Sequence, residues 1–350
     1  MKQLKVAILG QGRSGYGIHT SWLRNNKERF KIVAVADPLV ESMKECAEEF
    51  GSKQYDDYKA LLADKTHDAT LVVNALPSHM HVEGTIAALK AGYDVICEKP
   101  VARTVAEFDS VVAAAKASGK LYLPYQNSRF QPAFQKLQEV LASGRLGELV
   151  HARICFNGWS RRWDWQTRRD MGGGNLLNTG PHPLDQAIVL FGEEMPQVFA
   201  RLVSNNPFGD AENFASVTLW GKGKPTIDVV TSSFAAYPQG EMYNLGCTRG
   251  GLSGSLTEMK WKYYNVDKAP DHPHSSTSTH SEKRSYCRED LEWTEETWKF
   301  ETKRAVITNG FYDDAYGIIV NGAPRVITLD QVRRQIAVLE EAHRQNPDLI

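Results

Sequence analysis

The strongest constraint on the fold is a six-residue turn, Gly10-Gln11-Gly12-Arg13-Ser14-Gly15, that follows the apolar run LKVAIL (4–9) and leads into a helical pattern. A strand that hands over to a helix through GxGxxG is the signature of a dinucleotide-binding βαβ unit. Gly10 permits the tight turn, Gly12 lets the backbone approach a pyrophosphate, and Gly15 allows the helix to pack closely on the strand. The phosphates would then lie at the helix N-terminus, with Arg13 and Ser14 in the loop around them. The second candidate strand, KIVAVA (31–36), ends at Asp37, where a carboxylate can accept hydrogen bonds from ribose hydroxyls and repel a 2′-phosphate. Pro38 stands where an NADP-binding loop would carry a cation, so the residues favour NAD over NADP.

The first third of the chain continues in the same alternation. Strand-like runs at 69–75 and 93–98 and a further one from about 121 are separated by helical patterns at 82–90 and 105–117, the sequence form of a parallel sheet with crossover helices. A helix over 130–143 then precedes strand-like stretches (LVHARICFN, VFARLVS, NFASVTLW, PTIDVVTSSF) with few helical patterns between them. Such a run reads as a mainly antiparallel sheet. The expected fold is α/β: an N-terminal Rossmann doubly wound parallel sheet (1–124), then an α+β domain with an open, mainly antiparallel sheet (125–350) closing on a helix at 329–345. The 350 residues suffice for two cores. The polar stretch 265–290 reads as an exposed excursion.

Composition narrows the function. Lys+Arg 41 against Asp+Glu 42 leaves a net charge of −1, with no global field to hold nucleic acid or an acidic membrane. Small-molecule chemistry is the expectation. The five cysteines (Cys46, Cys97, Cys155, Cys247, Cys287) contain no CxxC pair, and His272, His274 and His280 sit in a Ser/Thr-rich stretch without paired acids, so no metal site is expected. No apolar run approaches the roughly 20 residues that span a bilayer, and 4–9 is too short for a signal segment. A cytoplasmic location is expected.

Two further motifs carry chemistry. Glu98-Lys99-Pro100-Val101-Ala102 closes the fourth strand-like run, and Gly172-Gly173-Gly174 precedes Asn178-Thr179-Gly180-Pro181-His182-Pro183-Leu184-Asp185. Together with the glycine turn, the Leu76-Pro77-Ser78-His79-Met80-His81 segment and Asn127-Ser128-Arg129-Phe130, they make the chain resemble the glucose-fructose oxidoreductase / inositol dehydrogenase (Gfo/Idh/MocA) family. The resemblance implies a sugar or polyol site under a nicotinamide, with Lys99 touching nicotinamide ribose and substrate oxygen and His182 carrying the proton. It extends the expected cofactor contacts to Leu76, Pro77, His81, Glu98, Lys99 and Asn127. It also implies that the second sheet forms a subunit interface in a homodimer or homotetramer.

These residue types suit oxidation of a secondary alcohol, which needs a base for the hydroxyl proton and a cation for the developing alkoxide. His182 fits the first task and Lys99 the second. Where the family often has an Asp four residues before the His, this chain has Asn178. Asn178 is therefore expected to contact substrate hydroxyls, and Asp185 to supply the imidazole's negative partner. A loop with Trp159, Arg161, Arg162, Trp163, Trp165, Arg168 and Arg169 offers indole faces and guanidinium forks to a sugar, with Arg161, Arg162 and Trp163 the expected contacts. Exchangeable and tightly bound NAD both remain open, as do two other classes: a non-catalytic dinucleotide-binding sensor, and a glycoside hydrolase or lyase that uses NAD transiently.

Overall fold

The computed structural model of the protein describes residues 2–237, 241–272, 289–301 and 305–349. The first sheet comprises β1 (Leu4–Leu9), β2 (Phe30–Ala36), β3 (Lys53–Tyr55), β4 (Leu71–Asn74), β5 (Asp94–Cys97) and β6 (Tyr122–Pro124). All its pairings are parallel and the order is β3-β2-β1-β4-β5-β6, the doubly wound order in which the chain reverses direction across the sheet beside β1. Near-continuous burial of β1 and β4 explains why these strands read as unbroken apolar runs: helices cover both faces.

The second sheet is mixed. It contains β7 (Leu149–Asn157), β8 (Gln197–Val203), β9 (Phe214–Trp220), β10 (Thr226–Ser232), β11 (Tyr243–Cys247), β12 (Gly250–Gly254), β13 (Glu258–Tyr264) and β14 (Trp293–Lys299). Its order is β14-β13-β12-β11-β7-β10-β9-β8, antiparallel throughout except for the parallel pair β7 and β10. One face packs on the helices Pro132–Ala142 and Pro181–Phe191; along β8 and β9, buried residues alternate with outward ones. The stretch 265–290 joins the neighbouring strands β13 and β14; His274, His280 and Cys287 lie outside the described residues, while His272 pairs with Glu289 at 2.9 Å.

The chain's last two helices do not stay with the second sheet. Helix Ala305–Asn321 places Phe311, Tyr312, Ala315 and Ile318 in the core of the first. Helix Leu329–Arg344, started by a Thr328/Gln331 capping box, puts Val332 and Ile336 into the first core and Val338, Leu339 and Ala342 into the second. It bolts the two layers together and so fixes the cleft between them. No helix among the described residues is long and apolar enough to cross a membrane, and no cluster of His, Cys, Asp or Glu among them could hold a metal ion.

Candidate active site

The C-terminal ends of β1, β2, β4 and β5 open onto a cleft of about 390 Å³. Gly10, Gly12, Arg13, Ser14, Asp37, Pro38, Leu76, Pro77, His81, Glu98 and Lys99 line its first-sheet side; Arg162, Asp164, Trp165, Gln166 and Asn178 line the other. The glycines divide their work as the sequence implies. A Cβ on Gly10 would stand 2.5 Å from the carbonyl oxygen of Ala75, and one on Gly15 would stand 1.9 Å from that of Gly10, whereas one on Gly12 would meet nothing within 4 Å. Gly10 and Gly15 are required for packing, and Gly12 faces open space of the kind a pyrophosphate fills. Asp37 accepts hydrogen bonds from the backbone N–H of Gln11 (2.8 Å) and of Leu39 (2.9 Å), which pin its carboxylate at the β2 end of the cleft. These residues fit an extended dinucleotide.

At the other end, the Lys99 ammonium donates to the main-chain carbonyl of Asn178 at 2.7 Å, joining two motifs 79 residues apart. Burial, aided by Arg13 and Arg162 and opposed by Glu98, lowers the pKa of Lys99. The adjoining Glu98 is buried too, which alone would raise its carboxyl; the hydrogen bond from His19 and the charges of His19, Lys99 and His81 instead hold it at about 2. His182 stands four residues beyond Asn178, across the Thr179-Gly180 turn in the first turn of helix Pro181–Phe191, half-buried and outside the cleft lining. Burial first, and the Lys99 charge second, push its imidazole down to about 3. The ring is therefore neutral over the physiological range, not poised near its ordinary value. Its Nδ1 is buried without a hydrogen-bond partner among the described residues.

Three sequence expectations meet a different geometry. Asp185 does not face the imidazole: both its oxygens accept from Arg129, at 2.6 and 2.8 Å, and both side chains are buried. A fully desolvated carboxylate needs a fork of donors, and Arg129 supplies one that a neutral imidazole cannot. In the Trp/Arg loop, Arg162 reaches the cleft but Arg161 lies over the ring of Phe208 at 5.1 Å and Trp163 is 78% exposed. Asn127 and Gly15 fall outside the cleft lining, although Asn127 keeps a buried Oδ1 without a partner among the described residues. His81 lines the cleft with its ring nitrogens 2.7 and 2.8 Å from the carbonyl oxygens of Leu76 and Pro100, tying the β4 loop to the β5 loop.

Several site residues escape the sequence reading. Asp164 and Gln166 carry no motif, and Trp165, read only as one of three indoles, is the one that lines the cleft. Glu212, remote in sequence, accepts the Leu176 N–H at 2.9 Å and lies against Gly174, where a Cβ would come within 2.4 Å of its carboxylate. It thereby holds the short helix Asn175–Asn178 that presents the Asn178 carbonyl to Lys99. The only sequence trace of this contact is the Gly172-Gly173-Gly174 run itself.

Residues 4–126 match the family model described as "Oxidoreductase family, NAD-binding Rossmann fold", and residues 134–253 match "GFO/IDH/MocA C-terminal domain". The chain is 33% identical over 195 residues to D-glucoside 3-dehydrogenase of Escherichia coli (54% of each chain). It is 29% identical over 208 residues to myo-inositol 2-dehydrogenase of Thermotoga maritima (56% of this chain, 58% of that one). The matched stretch thus spans little more than half the length of these curated relatives. Among solved structures, an NAD-binding protein from Listeria innocua superposes with a TM-score of 0.80 at 22% identity, covering 99% of each chain, which shows the shared fold. With both domains matched by their family models, the chain belongs to the Gfo/Idh/MocA family of oxidoreductases.

Proposed function

We propose that the protein is an NAD-dependent dehydrogenase that interconverts a secondary alcohol and a ketone on a sugar, glycoside or inositol. The observation that carries this reading is the Lys99–Asn178 hydrogen bond, which closes the EKP loop against the segment leading to His182 at one cleft. Gly12, Arg13 and Ser14 would hold the pyrophosphate, Asp37 the adenosine ribose, and Leu76, Pro77 and Glu98 the far half. Bound there, the nicotinamide supplies the acceptor for the substrate's hydride. The chain's own groups do the rest. Lys99 stabilises alkoxide charge on the reacting oxygen, and His182, neutral and just outside the cleft lining, takes the hydroxyl proton and returns it in the reductive direction. Arg162 and Asn178 line the same space and would orient substrate hydroxyls, although the Asn178 amide in this structure donates to the Gly174 carbonyl at 2.9 Å. The pinned Asp37 carboxylate favours NAD over NADP by repelling a 2′-phosphate.

The test is a panel of monosaccharides, inositols, uronates and aryl glycosides, followed by reduced-nicotinamide absorbance with and without added NAD. At least one member should be oxidised, and Lys99→Ala or His182→Ala should lower kcat by about 10²–10⁴-fold. A chain that binds NAD but turns over no member would belong with the sensors.

We also propose that the outward face of the second sheet, with Phe199, Trp220 and Trp293 exposed on it, is covered by another copy in a homodimer or homotetramer. Sedimentation of a monomer at micromolar concentration would refute this.

A further inference from the structure

Beneath the floor of the cleft, three fully buried groups from distant parts of the chain form one line. Oε1 of Glu98, just past the end of β5, lies 3.2 Å from Nε2 of His19, and Nδ1 of the same ring lies 2.7 Å from the hydroxyl of Tyr312. Tyr312 belongs to helix Ala305–Asn321, which returns to the first core from far along the sequence, and its ring stacks on Trp22 at 4.1 Å. Burial holds the Tyr312 phenol well above its ordinary value, so it remains an O–H donor. One assignment of hydrogens satisfies every group: Tyr312 O–H donates to Nδ1, and Nε2–H donates to Oε1. The imidazole thus bridges the phenol to the carboxylate, and the Glu98 carboxyl, held at about 2, carries its negative charge.

That charge is not closed into an ion pair with its neighbour. Oε2 of Glu98 accepts the backbone N–H of Lys99 at 3.1 Å, while the Lys99 ammonium is directed at the Asn178 carbonyl. Burying an anion in this way is costly, and a purely structural core has cheaper fillings. The sheet order shows what the anion faces. Asp37 and β2 lie on one side of β1, while Glu98 and β5 lie on the other beyond β4, so a dinucleotide with its pyrophosphate at Gly12 and its adenosine at Asp37 brings its nicotinamide toward Glu98.

We propose that His19 and Tyr312 are positioning residues that fix an anionic Glu98 against the nicotinamide half of the cleft, so that the protein holds the oxidised, cationic ring in preference to the neutral reduced one. The inference rests on the reading of the cleft as a nicotinamide site. It adds a consequence: reduced cofactor leaves more readily than oxidised cofactor, and the bound couple has a lowered potential.

The test is titration calorimetry of the full-length chain with NAD+ and with NADH, in the wild type, Glu98→Gln and Tyr312→Phe. The wild type should bind NAD+ more tightly than NADH. Glu98→Gln should weaken NAD+ by about tenfold while changing NADH little, and a tenfold change in that ratio corresponds to about 30 mV in the potential of the bound couple. Tyr312→Phe, which removes the donor that fixes the His19 tautomer without touching the cleft, should move the ratio the same way by about threefold. Equal weakening of both forms in both variants, or a wild type with no preference for NAD+, would overturn the inference while leaving the nicotinamide site standing. A wild type that binds neither form would sink the nicotinamide reading, and this inference with it.

Discussion

Arg129 grips Asp185 through two parallel hydrogen bonds, 2.8 Å from Nε and 2.6 Å from an Nη, three residues beyond His182 and in the dry interior between the two sheets. The same guanidinium reaches Gln331 at 2.9 Å and the carbonyl of Val326 at 3.3 Å, so one side chain ties the His182 helix to the start of the C-terminal helix. Burial raises the Asp185 carboxyl while the Arg129 charge and hydrogen bonds oppose the rise. Arg129→Met would leave that carboxylate desolvated and unpaired, and denaturant unfolding should show a loss of about 3–5 kcal/mol. Replacing both partners, as Arg129→Met with Asp185→Leu, should recover most of it. A double variant as unstable as the single one would show that the pair is worth more than its buried charges.

Gly12 and Gly15 offer a clean separation of site from fold. An added Cβ at position 15 would collide with the Gly10 carbonyl, whereas at position 12 it would enter open cleft. Gly15→Ala should therefore lower Tm by several degrees, the effect of a few kcal/mol of forced backbone shift. Gly12→Ala should leave Tm nearly unchanged and weaken dinucleotide binding by about tenfold or more. Thermal melts beside NAD+ titrations read both effects, and a Gly12→Ala protein that bound NAD+ normally would remove Gly12 from the phosphate site.

The contrast between those glycines also marks what the sequence makes legible. Backbone needs are written locally: the GxGxxG turn, β1 and β7 can be read residue by residue because sterics and side-chain period act over a few positions. Lys53–Tyr55 cannot, being three largely exposed residues at a sheet edge. Gly250–Gly254 lacks the β-branched residues that announce a strand, and helix Ala305–Asn321 is apolar around too much of its circumference to show a clear period. At the site, Lys99 and Asn178 were visible as motif members. The identity of Asp185's partner was not, because His182 is three residues away in the sequence whereas Arg129 is 56 away, and only the tertiary fold brings that guanidinium to the carboxylate. His19 and Tyr312 are 293 residues apart, beyond any local signal.

Glu212 carries a pH signature that follows from its place behind the helix Asn175–Asn178. Burial raises its carboxyl to about 7, against the lowering effect of backbone N–H groups and Arg169. The unfolded chain would ionise this group near 4.3. Between these values the unfolded state sheds a proton that the folded state keeps, so stability is full below about 4 and is lost progressively as pH rises to about 7. The total is about 4 kcal/mol. Glu212→Gln cannot ionise, so it should be more stable than the wild type at pH 8 by an amount approaching this figure, with the difference largely gone at pH 4. Chemical denaturation at the two pH values measures it; parallel curves would mean that the carboxyl finds a charged partner above pH 7.

His182 gives the opposite slope. Its imidazole is held at about 3 by burial and by Lys99, while an unfolded imidazole titrates near 6.5. Across that window the unfolded state binds a proton that the folded state refuses. The folded protein is fully stable above about 6.5, loses stability as pH falls, and reaches the full loss below about 3. At pH 5 the cost is about 2 kcal/mol. His182→Asn has no ring to protonate, so its stability relative to the wild type should improve by about that amount between pH 8 and pH 5, whatever its effect on turnover. Because the measurement needs neither substrate nor cofactor, it isolates the electrostatic environment of the proposed base. If the wild type and the variant lose stability in parallel over this range, the ring is not desolvated beside the Lys99 ammonium, and the neutral, acceptor-ready imidazole on which the proton transfer depends is not in place.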